Sequence, residues 1–90
     1  MVYDLLYTDS SLKDLDRLEK RDRDDILKKL DFYIKLPDPF TKAKKLKNFS
    51  IDTYRFRVGD YRIIFRKDPK TSVLVVLIIL KIAHRKEVYK

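Results

Sequence analysis

The sequence predicts an α+β fold with strand order β-α-α-β-β-β, an antiparallel sheet carrying an N-terminal helical hairpin on one face. Three observations lead there. Apolar residues recur at helical spacing through the first third of the chain and at strand spacing after Ser50. A Gly59-Asp60 dipeptide separates two alternating segments, the pattern of a tight β-hairpin. An unbroken apolar run, Val73–Leu80, closes the chain's regular part. At 90 residues the chain is long enough for one domain, spanning 1–90, and too short for two.

Val2–Tyr7 is predicted to form the first strand, and the Thr8-Asp9-Ser10-Ser11 stretch offers side chains that cap a helix start. Leu12, Leu15 and Leu18 then mark a first amphipathic helix. Ile26, Leu27, Leu30, Tyr33 and Ile34 form the apolar stripe of a second. Asp22, Asp24 and Asp25 sit at its start, where the helix dipole favours negative charge, and Pro37 and Pro39 end it. Phe40–Ser50 is a lysine-rich connector; Tyr54–Val58, Tyr61–Arg66 and Ser72–Lys81 are the remaining strands, with a second turn at Asp68-Pro69-Lys70. Burial on both faces is expected of Val73–Leu80, and hence a central place in the sheet.

Composition excludes several classes. With no cysteine there is no disulfide, thiol nucleophile or zinc-finger spacing, and the lone histidine and helix-bound carboxylates give no metal-ligand set. No signal peptide is visible and the longest apolar run falls short of the ~20 residues of a membrane span, so a cytoplasmic protein without membrane contact is expected. No cofactor is implied. The net charge of +8 is segregated: residues 1–41 carry eight Lys/Arg and ten Asp/Glu (−2), residues 42–90 fourteen and four (+10). Such asymmetry suits a polyanion footprint, or a basic surface kept for solubility.

The two-residue turn fixes register, placing Val58 opposite Tyr61, Arg57 opposite Arg62, Phe56 opposite Ile63 and Arg55 opposite Ile64. Alternation then gathers Arg55, Arg57, Arg62 and Arg66 on one face and the apolar residues on the other. Like charges directly opposite cost roughly 0.2–1 kcal/mol per pair. The cluster therefore points to an anion, although stacking on rings or pairing with acids is the competing explanation. Arginine's planar, permanently charged fork suits phosphate. Lys44, Lys45 and Lys47 extend the site along a nucleic-acid backbone, or simply form a solvated loop. His84, following the last strand, is a candidate base or acceptor, and Tyr89 stacks on a nucleobase or anchors the C-terminus.

Tyr54-Arg55-Phe56-Arg57-Val58-Gly59-Asp60-Tyr61-Arg62-Ile63-Ile64-Phe65 resembles the central signature of RelE/ParE toxins, and His84-Arg85-Lys86-Glu87-Val88-Tyr89 resembles their C-terminal signature. The resemblance implies a microbial type II toxin, of the kind associated with plasmid stabilisation, held inactive by a cognate antitoxin from a neighbouring gene. RelE-like members cut messenger RNA on the ribosome by attack of a 2′-hydroxyl, inhibiting translation; ParE-like members inhibit DNA gyrase without cleaving anything. Inactive relatives that bind only RNA or antitoxin are a third possibility. The catalytic groups it implies are Arg55, Arg57, Arg62, Arg85 and Tyr89, with His84 in reserve for proton transfer and Lys44, Lys45, Lys47 and Arg66 holding RNA. Arg55 and Arg57 stand where RelE toxins carry lysines, and Ala83 where some carry an arginine. Arginine does not readily give up a proton, so base duty would pass to His84, Tyr89 or a lysine.

Overall fold

The computed structural model describes residues 1–47 and 52–88. Strand β1 (Val2–Tyr7) leads into helices α1 (Asp9–Asp16) and α2 (Lys20–Ile34). A 3-10 turn (Pro39–Lys42) and a short strand β2 (Ala43–Lys45) follow, then β3 (Thr53–Val58), β4 (Tyr61–Pro69), β5 (Leu74–His84) and the single-turn helix α3 (Arg85–Val88). The strands form one sheet in the order β1-β5-β4-β3-β2.

The helices begin where their caps dictate. The Thr8 hydroxyl accepts the Ser11 amide at 3.2 Å, satisfying a donor that α1 leaves open. Asp38 likewise accepts the Phe40 amide at 3.0 Å at the start of the 3-10 turn, with Pro39 at its first position. In α2 the stripe of Ile26, Leu30 and Tyr33 is buried, while Leu27 and Ile34 flank it. Leu15 joins the core from α1, but Leu12 is 45% exposed: a helix of only two turns presents a single narrow edge to the sheet.

Against these helices the sheet stacks aromatic rings. Tyr33 lies on Phe56 (4.6 Å between centroids) and Phe56 on Phe65 (4.4 Å), with Tyr54 beyond. Ile63, Leu77, Ile79 and Ile82 complete this layer, all at 3% exposure or less. Burying each such side chain stabilises the fold by about 2 kcal/mol.

The predicted fold class and the hairpin register both hold. Arg57 pairs with Arg62, Phe56 with Ile63 and Arg55 with Ile64. Gly59 takes φ = 57°, a region of strain for any residue with a Cβ, and no other described residue has positive φ, as a type II′ turn requires.

Three details differ. The sheet is mixed rather than wholly antiparallel, because β1 runs parallel to β5, paired from Val2↔Leu74 to Tyr7↔Ile79. Ala43–Lys45, expected in the connector, forms an edge strand on β3; residues 48–50 of that connector lie outside the described residues. The central strand is β4, whereas β5 is flanked by β1 and β4, and Val73 is 62% exposed ahead of it. Pro69 closes β4 opposite Val75, where an absent N–H does least harm.

The β4–β5 ladder contains a bulge. Ile64 faces Lys81 but Phe65 faces Ile79, leaving Leu80 as an extra residue. Side-chain parity in β5 reverses across it. Val75, Leu77 and Ile79 face the helices before the bulge; Ile82 and His84 do so after it, with Lys81 and Ala83 turned to the open face.

Candidate nucleic-acid interface

The open face of the sheet is built by cross-strand rows. Lys44, Arg55, Ile64 and Lys81 form one row, each opposite the next. Arg57, Arg62 and Ala83 form a second, and Thr53, Arg66 and Ile78 a third. Neighbouring strands lie about 4.8 Å apart, so each row extends over roughly 10–14 Å. Val58 and Tyr61 close the turn, which makes Arg57 and Arg62 a non-hydrogen-bonded pair with Cα atoms about 4.5 Å apart. The fold therefore brings Arg55, Arg57, Arg62, Arg66 and Lys44 onto one surface.

These cations differ in access. Arg57 and Lys44 are exposed and Arg55 and Arg66 half-buried, whereas Arg62 is only 5% exposed. Arg62 sits in the middle strand between Arg57 and the small Ala83, and its Nε and Nη1 are shielded from solvent. A guanidinium so enclosed is held in one place, which suits precise recognition more than attraction at a distance.

The nearby acids are engaged at the margins. Lys45 lies 3.3 Å from Asp52 and Lys70 2.6 Å from Asp68. The hydrogen bond from Lys70, reinforced by the charges of Lys70 and Arg66, holds the Asp68 carboxyl below its ordinary range against a smaller opposing effect of burial. Lys45 is opposite Tyr54, on the helix-facing side of the edge, and Lys47 is exposed just past β2. Both therefore stand off the arginine surface.

His84 is placed away from the arginines. It is opposite Tyr61, on the helix-facing side, and the two rings meet edge to face at 5.4 Å. It borders a cleft with Asp22, Asp25, Asp60 and Tyr61, in which the Tyr61 hydroxyl donates to Asp22 at 3.0 Å. The Leu80 bulge is the cause: without the extra residue, His84 would have shared the face of Arg62. Arg85 is exposed, and its amide donates to the Asp60 carbonyl at 2.7 Å, fixing its backbone beside the hairpin tip. Tyr89 lies outside the described residues.

One residue was missed by sequence reasoning. Lys81 is exposed on the arginine face, opposite Ile64, because the same bulge turns it there. Its place at the end of a long apolar run was the available signal, but only the bulge decides its side. Among the described residues no group of three or more His, Cys, Asp or Glu side chains is arranged to hold a metal, and no helix is long and apolar enough to cross a membrane.

A helical hairpin packed on one mixed sheet is the fold this chain shares with solved RelE toxins. Residues 5–89 match the family model described as the ParE toxin of the type II toxin–antitoxin system parDE, and the chain belongs to that family. Among solved structures it is similar to a RelBE toxin–antitoxin complex of Mycobacterium tuberculosis, at 25% identity and TM-score 0.69, over 94% of this chain and 100% of that one. The archaeal RelE–RelB complex of Pyrococcus horikoshii is similar at 28% identity and TM-score 0.67, over 94% and 97%. Free RelE of E. coli shares the fold, at 23% identity and TM-score 0.65, over 99% and 92%. No curated protein matches the chain.

Proposed function

We infer that this type II toxin is an endoribonuclease that cleaves messenger RNA on the ribosome, using the open sheet face to hold the scissile phosphate. The observation that carries this reading is the placement of Arg57 directly opposite Arg62, with Arg55 and Arg66 beside them. In the reaction the substrate's 2′-hydroxyl attacks the adjacent phosphorus and the 5′-oxygen leaves, giving a cyclic phosphate. The pentacoordinate transition state gathers negative charge, which fixed guanidinium groups stabilise without reorganising. Arg57 and Arg62 serve this role, Arg85 approaches from the hairpin tip, and Lys44, Arg55 and Arg66 hold flanking backbone. His84 faces the other way, so the proton acceptor is sought in Lys44, Lys81 or Tyr89.

A cognate antitoxin is the partner this reading requires. The exposed Val2 and Leu6 lie on the same open face as the arginines, as their pairing with Leu74 and Ile78 dictates. A segment with apolar and acidic residues would cover both surfaces.

The family match to ParE favours a second reading, inhibition of DNA gyrase without RNA cleavage. The two are separated by inducible expression in a bacterial host, wild type beside Arg57→Ala, with mapping of messenger RNA 5′ ends. The expected result is growth arrest with cuts inside translated messages, reduced about 100-fold in Arg57→Ala. The purified variant should melt at the wild-type temperature, because Arg57 is exposed. Arrest with intact messages and trapped gyrase would overturn the first reading in favour of the second.

A further inference from the structure

The end of β5 carries a group the proposed chemistry does not use. His84 Nδ1 accepts a hydrogen bond from the Lys86 amide at 3.3 Å, at the first turn of α3. A backbone amide can only donate, so this bond is available only to a ring whose Nδ1 carries no proton. The neighbouring amide, that of Arg85, is held by the Asp60 carbonyl at 2.7 Å. These two bonds set where the last strand turns and where Arg85 starts.

We propose that His84 is a proton-sensitive positioning residue that, when neutral, holds the Arg85–Val88 turn against the hairpin tip and, when protonated, releases it. The proposal rests on the reading of Arg85 as part of the anion site, and it adds a means of regulating that site.

The argument is one of donors and acceptors. Protonation gives Nδ1 a hydrogen and sets two donors, the ring N–H and the Lys86 N–H, against each other. The imidazolium also has somewhere else to turn. Asp22 and Asp25 of α2 and Asp60 of the hairpin turn line the cleft on one side of the ring, and Asp14 of α1 lies on the other. Opposing them are Arg17 of α1 and the adjacent Arg85 and Lys86. Tyr61, whose ring meets His84 edge-on, has its hydroxyl hydrogen engaged by Asp22. These carboxylates offer the imidazolium acceptors on the helix side, where the Lys86 amide offers none.

The test is an amide NMR titration of the full chain from pH 8 to 5.5, wild type beside His84→Asn. Asparagine offers a non-titrating oxygen to the same amide, and His84→Gln supplies a second acceptor of different reach. In the wild type, the Arg85 and Lys86 amide resonances should move with one inflection shared with the His84 ring, and the protection factor of Lys86 should fall at least several-fold. In His84→Asn both should stay flat. Arg85 and Lys86 amides that hold still while the ring titrates, or an inflection that persists in both variants, would overturn the proposal. The readout involves no RNA, so a protein that cleaves nothing yet shows this titration loses the ribonuclease reading and keeps the positioning role.

Discussion

Tyr7 shows how a single group ties this fold to pH. It ends β1 opposite Ile79 and points toward the helices, and burial, with a smaller contribution from the Asp31 carboxylate, pushes its hydroxyl up to about 12. The ordinary tyrosine value is near 10, so between pH 10 and 12 the unfolded chain releases a proton that the folded chain keeps. The unfolded state then binds fewer protons, and stability falls as pH rises through that window, having been fully present below it. Tyr33, also raised by burial, contributes in the same sense. Tyr7→Phe removes one of these titrations. Urea unfolding at pH 9, 10 and 11 should therefore give a shallower decline of stability in Tyr7→Phe than in the wild type. Parallel declines would mean that the Tyr7 hydroxyl ionises as readily folded as unfolded.

At the level of elements, the short helix α1 does the work of a missing strand. β1 stops at Tyr7, opposite Ile79, leaving the far end of β5 with no neighbour on that side. The Ile79 carbonyl continues the parallel ladder one step past β1, and both the Thr8 amide (3.2 Å) and the Thr8 hydroxyl (2.7 Å) donate to it. Asp14 then accepts the Ile82 amide at 3.0 Å. Hydrogen bonds to a charged acceptor contribute roughly 1.5–3 kcal/mol, so Asp14→Ala should lower unfolding free energy by about 2 kcal/mol. The exposed Asp16→Ala should change it by less than about 0.5 kcal/mol. Chemical denaturation of both variants checks this; equal effects would mean that water replaces Asp14 at the strand edge.

The same elements mark where the sequence is legible. Gly59-Asp60 fixed the hairpin register, because a two-residue turn admits only one, and the arginine face followed from it. The Leu80 bulge was hidden, because an apolar run reads alike on either face, and it decided the sides of both His84 and Lys81. The parallel β1–β5 pair was hidden for a different reason: it joins segments some seventy residues apart, and no local signal reports the direction of pairing. Lysines made Ala43–Lys45 look like a loop, yet lysine is also what guards an edge strand against unwanted pairing.

Over the whole molecule, the segregation of charge along the chain becomes a segregation in space. Lys44, Arg55, Arg57, Arg62, Arg66 and Lys81 occupy the open sheet face, while Asp14, Asp22 and Asp25 stand on the helices behind it. Such a protein approaches a polyanion one face first. The net charge of +8 alone would give binding of no particular orientation, so the orientation is what must be tested. Affinity for single-stranded RNA should fall linearly on a logarithmic plot against salt, with a slope of about −0.7 per phosphate neutralised, near −3 if about four are held. Removing one cation from the open face should flatten the slope by one such step: Arg57→Ala should lose about 0.7. Lys28, exposed on α2, is the control, since Lys28→Ala removes the same charge from the opposite side and should leave the slope unchanged. Fluorescence anisotropy with a mixed-sequence RNA, from low to moderate salt, measures all three proteins. An equal loss in both variants would show that RNA responds only to total charge, and would move the interface off the arginine face.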